Sequence, residues 1–142
     1  MEINWNYPEP RPGIKGIFDR FFGPGMTRLE IFINFAGLII LSCLIILPVY
    51  LQGIDWSSLQ WIIFILITID ICGGLLTLAF SPAKRWEHRE GKGFLSHFSF
   101  VAVHVHPVII GLLFAHALVW GVSVYLAVVC AAAIVLIMPL YL

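Results

Sequence analysis

The chain has 142 residues, of which 61% are apolar and only 11% charged, with a formal net charge of zero. That balance excludes an ordinary soluble domain, because no core of this length could bury so much apolar surface. It also gives no basic excess with which to hold nucleic acid, and points instead to one membrane domain whose exterior faces lipid.

The first segment, NYPEPRPG, is too proline-rich for a helix and is expected to be extended. IKGIFDRFF follows at 14–22 and sets Ile14, Ile17, Phe18, Phe21 and Phe22 around Lys15, Asp19 and Arg20. This is the pattern of a short amphipathic helix lying on the membrane surface. GPG at 23–25 breaks it. The first long apolar run starts near Leu29. It lies behind a polar and aromatic segment and is followed by further runs, so it reads as a span and not as a cleaved signal.

Four runs are long enough to cross about 30 Å of hydrocarbon as helices: 29–51, 57–80, 94–117 and 119–140. Pro48 falls late in the first and Pro107 inside the third. Short connections at 52–56 and 117–120 make sequential spans antiparallel neighbours. The expected fold is therefore an all-α, up-down bundle of four transmembrane helices with an interfacial N-terminal helix. Cys43, Cys72 and Cys130 all lie in apolar runs, where they read as small packing residues and not as a disulfide framework.

Arg11, Lys15, Arg20 and Arg28 precede the first span, and Lys84, Arg85, Arg89 and Lys92 lie in the 81–93 loop. These are all eight Lys and Arg residues, and the opposite loops have none. The positive-inside rule puts both termini and the 81–93 loop in the cytoplasm. A bacterial plasma membrane is the expected location.

Polar residues inside the spans are the candidates for chemistry, since they are expensive in hydrocarbon. Glu30 and Asn34 share a face of the first span, and Asp70, Gly74, Thr77 and Ser81 form a stripe along the second. In the third, His97 and His104 share a face, while His106 points the other way on a regular helix. Pro107 perturbs this geometry: it removes a donor, disturbs the Val103 carbonyl and pushes His106 from helical angles. Asp70 and His104 both fall about 15 Å from the cytoplasmic surface. They form the expected core pair of a cavity open to the cytoplasm. The fourth span, with Ser123 and Tyr125, reads as a support.

Several functions fit these residues. Zinc or iron could be held by Asp70 and His104 with His97 or His106, and Glu30 in reserve, to activate water against a lipid-like substrate. Against this, His97 and His104 lie about 10 Å apart along a straight helix. A haem could sit between His106 and His116 near Gly111, but it would need a homodimer or a non-histidine second ligand. A proton relay through Asp70 and the histidines is a third reading, and four short helices leave it little room. The plain alternative is that Asp70 and His104 only bridge helices, a contact worth about 0.6–2 kcal/mol.

The 81–93 loop has its own two readings. Lys84, Arg85, Trp86, His88 and Arg89 suit positive-inside anchoring, and Arg85, His88 and Arg89 also suit a clamp on an anionic headgroup. No glycine-rich phosphate loop, His-Glu-x-x-His, Cys-x-x-Cys or Gly-x-Ser-x-Gly occurs. The favoured function is a small membrane protein that binds or acts on a lipid-like ligand at a cytoplasm-facing polar or metal site. The rival is a non-enzymatic membrane subunit whose polar residues support helix contacts and whose basic loop docks a partner.

Overall fold

In hydrocarbon every backbone donor and acceptor must be satisfied inside the chain, so long apolar runs form helices. The computed structural model describes residues 6–114 and 117–138, and these contain seven α-helices and no strand. They are α1 (Ile14–Phe22), α2 (Arg28–Leu51), α3 (Ser58–Ala79), α4 (Ser81–Glu87), α5 (Phe94–Ala102), α6 (His106–Leu113) and α7 (Leu118–Ile137). Four stretches are long and apolar enough to cross a membrane: α2, α3, Phe94–Leu113 and α7. Residues 115–116 and 139–140 of the expected spans lie outside the described residues. The chain forms two compact units, Met1–Glu90 and Gly91–Leu142.

The first unit is built on the α2–α3 hairpin. Each helix opens on a capping box. Thr27 Oγ1 accepts from Glu30 N at 3.2 Å while Glu30 Oε2 accepts from Thr27 N at 2.7 Å. Ser57 and Gln60 repeat the arrangement at 3.3 and 2.9 Å. Each box satisfies donors that a helix start otherwise leaves unpaired. Pro48 does not end α2, whose last turn also carries a bond from Gln52 Nε2 to the Pro48 carbonyl at 3.3 Å.

The contact between α2 and α3 is made by small and polar side chains. Asn34 is 2% exposed, and its Nδ2 donates to Thr77 Oγ1 at 3.3 Å. Gly37 lies under Leu76, so that a methyl added there would come within 3.2 Å of it. Ser42, Thr68 and Cys72 are buried further along, and Thr68 Oγ1 donates to its own helix at Phe64 O, 2.8 Å. Meanwhile Leu44, Leu66 and Leu75 stay more than half exposed. A water-soluble fold buries large apolar residues and exposes polar ones. Here that order is reversed, as expected where lipid is the solvent and small residues let helices approach.

The amphipathic segment forms a helix over Ile14–Phe22, and its orientation is fixed from inside. Arg11 grips Asp19 with its backbone N and Nε, each 2.8 Å from Oδ2, and with Nη2, 2.6 Å from Oδ1. The Arg11 carbonyl lies so close to Gly16 that a Cβ there would sit 1.9 Å from its oxygen. Gly16 and Asp19 are the buried residues of α1, while Ile14, Ile17, Phe18 and Phe21 are exposed. Beyond α1, Gly23 has φ +89° and a Cβ there would come within 2.4 Å of the Pro82–Ala83 backbone. Only glycine satisfies both conditions.

One expectation for this unit is corrected. The 81–93 segment is not all loop, because α4 occupies Ser81–Glu87 with Pro82 in its first turn. Proline is tolerated there, where its missing donor is not needed, and Ala83, Lys84, Arg85 and Glu87 are good helix formers.

In the second unit, the third span is not one helix. It stops at Ala102 and restarts at His106. Pro107 cannot donate, so the chain tightens first: His104 N bonds Val101 O at 3.1 Å and Val105 N bonds Val103 O at 2.9 Å. That leaves carbonyls at the end of α5 without regular helical partners. The His104 ring takes the Phe100 carbonyl through Nδ1, and Tyr125 on α7 takes the Ala102 carbonyl through its hydroxyl at 2.6 Å. α7 reaches this close because Gly121 lies against the Pro107 carbonyl, where a Cβ would come within 2.3 Å of its oxygen.

Candidate functional site

The intramembrane candidates are engaged in ways the sequence reading did not assign. Glu30, the reserve metal ligand, closes the α2 capping box. Its signature, Thr-x-x-Glu ahead of an apolar run, was legible in the sequence. Of the stripe on α3, Thr77 is buried against Asn34, while Asp70, Gly74 and Ser81 are exposed. Asp70 belongs to the first unit and His97, His104 and His106 to the second.

His97 is half-buried on α5. His104 lies in the break, half-buried, with its ring 4.6 Å from that of Phe100. A carbonyl only accepts, so Nδ1 carries the His104 proton. His106 opens α6, and the break brings its ring to 5.5 Å from that of His104, edge to face. His116, the second residue of the haem reading, lies outside the described residues. Among the described residues no three His, Cys, Asp or Glu side chains gather as a metal ion would require.

The basic candidates do converge. Arg85, His88 and Arg89 line one recess of about 450 Å³ together with Asn6, Tyr7, Glu9 and Glu90. Arg85 comes from α4, His88 and Arg89 from the turn that ends it, and Asn6, Tyr7 and Glu9 from the N-terminal segment. That segment is folded back by three contacts. Tyr7 meets the Trp86 ring edge-on at 5.4 Å, Pro8 lies against Gly25, and the Arg11–Asp19 pair fixes the approach to α1.

The guanidinium of Arg89 lies 3.6 Å above the Trp86 ring, and its Nη1 donates to the Trp86 carbonyl at 2.5 Å. This arrangement orients Arg89 along the recess wall and leaves Trp86 as its platform. The recess therefore has two signs of charge, carried by the guanidinium groups of Arg85 and Arg89 and the carboxylates of Glu9 and Glu90. It lies at the end of α3, since α4 starts two residues after that span stops. Asn6, Tyr7 and Glu9 were not foreseen as site residues. No local pattern marks them, because they join the site only when the chain turns back through Gly23 and Gly25.

A second, smaller recess of about 190 Å³ lies between α1 and α2, lined mainly by Phe18, Phe22, Met26, Ile31 and Phe35. Arg11 and Asp19 stand at its edge and satisfy each other. Bonding to Arg11 holds the Asp19 carboxyl below the usual carboxylate range despite its burial, and the same bond raises Arg11.

Comparison of the chain with family models, with curated proteins and with solved structures found no match.

Proposed function

We propose that this chain is a non-enzymatic membrane protein that holds the phosphate headgroup of a lipid-like ligand in the recess between α4 and the N-terminal segment. The observation that carries this reading is the convergence of Arg85, His88 and Arg89 on one recess at the end of a span. Guanidinium groups suit phosphate because their donors form a planar fork. In this reading the four spans form one up-down bundle, α1 lies on the membrane surface with Phe21 and Ile14 in the headgroup region, and both termini are cytoplasmic.

The polar residues within the spans then serve helix contacts and backbone closure. The Asn34–Thr77 bond, the His104–Phe100 bond and the Tyr125–Ala102 bond support that assignment. The Asp70–His104 metal site is the weaker reading, since no gathered ligand set supports it among the described residues.

The test is lipid retention by the purified full chain, read by native mass spectrometry after extraction from nanodiscs holding equal parts of a dioleoyl phospholipid mixture and a dioleoyl galactolipid. Phospholipid is expected to be retained above the input ratio, and Arg85→Gln and Arg89→Gln are each expected to reduce it. Equal retention of the two lipid classes by the wild type overturns the headgroup reading. Elemental analysis of the same sample tests the rest: stoichiometric zinc or iron, lost in His104→Ala, overturns the non-enzymatic assignment.

A further inference from the structure

From the lining of the recess we infer that its ligand is the zwitterionic phosphoethanolamine headgroup, and not a purely anionic one; this rests on the headgroup reading above. Arg85, His88 and Arg89 face a volume that Glu9 and Glu90 also line. A headgroup carrying only negative charge would meet those two carboxylates with repulsion, and a simple cation would meet the two guanidinium groups. A phosphate ester followed two carbons later by an ammonium meets both signs. The recess, about 450 Å³, is within the usual range for small-ligand sites of about 300–1,000 Å³.

Two features favour a primary ammonium over a quaternary one. An ammonium with N–H groups can donate to Glu9, Glu90 and the Asn6 side-chain carbonyl, whereas a trimethylated nitrogen donates nothing. Quaternary ammonium groups are instead recognised on aromatic faces. Here the Trp86 ring already carries the Arg89 guanidinium at 3.6 Å and receives Tyr7 edge-on. Membrane lipid is the source of the headgroup, because the recess lies on the segment that follows the α3 span, its lining starting six residues beyond Ala79.

The experiment is competition among lipids on the wild-type full chain, which needs no variant to be decisive. Nanodiscs of equal parts dioleoyl phosphatidylethanolamine, phosphatidylcholine and phosphatidylglycerol are extracted gently, and retained lipids are counted by native mass spectrometry. Phosphatidylethanolamine is expected to exceed each of the others about threefold to fivefold, the scale of one exposed charged contact. The double variant Glu9→Gln/Glu90→Gln is expected to bring that ratio close to one, while retention of phosphatidylglycerol rises. Both residues are exposed, so the fold does not rest on them.

Equal or greater retention of phosphatidylglycerol overturns the zwitterion assignment and leaves the headgroup reading standing. Phosphatidylcholine retained as well as phosphatidylethanolamine overturns the ammonium–carboxylate part. If no phospholipid exceeds its input ratio and Arg85→Gln changes nothing, both readings fall.

Discussion

At the scale of single residues, burial inverts the usual meaning of polarity. Asn34 is among the most deeply buried side chains described, and its amide donates to Thr77 on the facing helix. Asn34→Ala is expected to cost about 0.6–1.7 kcal/mol, the range of interhelical hydrogen bonds measured in membranes. Thr77→Val should cost a similar amount, and the double variant no more than the larger single change. Unfolding of the detergent-solubilised chain monitored by circular dichroism checks this. Ser42 gives the opposite case, because its buried hydroxyl has no hydrogen-bond partner among the described residues. Ser42→Ala should leave stability unchanged or raise it by up to about 1 kcal/mol. Asp19 adds a pH dependence. Its folded-state pKa is lowered by the Arg11 bonds, so its contribution is complete above the unfolded value of about 3.9 and is lost as pH falls through the lowered value. Hydrogen-exchange protection over residues 11–22, taken relative to the intrinsic rate at each pH, should therefore be high at pH 7 and fall on acidification below about pH 4. Asp19→Asn should show low protection at both pH values, and an unchanged protection profile in that variant would show that the pair does not hold α1.

At the scale of elements, the break between α5 and α6 frees backbone carbonyls, and two side chains take them up. His104→Ala leaves the Phe100 carbonyl without the ring, and in a span facing lipid an acceptor left without a partner costs about 1–3 kcal/mol. Tyr125→Phe does the same to the Ala102 carbonyl. Both variants are expected to lower the thermal midpoint in detergent, with His104→Gln recovering part of the loss because its amide can still donate. A catalytic His104 would instead lose function with the midpoint unmoved. The element boundaries themselves were largely legible. The α2, α3 and α7 limits fall within a few residues of the apolar runs, because hydropathy measures the same property that membrane crossing requires. α1 was legible from its apolar periodicity. The break was legible only as a perturbation at Pro107; that it would become two helices depended on Gly121 and Tyr125 reaching it from α7. α4 was missed because a seven-residue helix leaves no periodic signature, and the charges of Lys84, Arg85 and Arg89 read equally well as loop.

At the scale of the whole molecule, the candidate site was half legible. Arg85, His88 and Arg89 could be named from charge and chain position, whereas Glu9 and Tyr7 could not, since their place depends on the return of the N-terminal segment over α4. The recess can serve a lipid only if it faces the leaflet toward which the basic residues point, and charge asymmetry makes that a definite prediction. All eight Lys and Arg residues fall at or before Arg28, the first residue of α2, or in the 81–93 segment. The 52–57 connection carries none, and instead gathers Trp56, Trp61, Tyr50 and Phe64, with Trp56 and Trp61 ring centroids 5.0 Å apart. Cationic segments resist translocation and aromatic rings settle at either interface, so the basic end is predicted to lie on the cytoplasmic side. Single-cysteine chains test it, with Cys43, Cys72 and Cys130 replaced by Ala and a new thiol placed by Asp55→Cys or Glu90→Cys. A membrane-impermeant maleimide should label the Asp55→Cys chain in intact bacterial cells and the Glu90→Cys chain only after lysis. The reverse pattern would turn the recess outward. It would then face the outer leaflet, and the retention experiments would have to be read against the lipids of that leaflet.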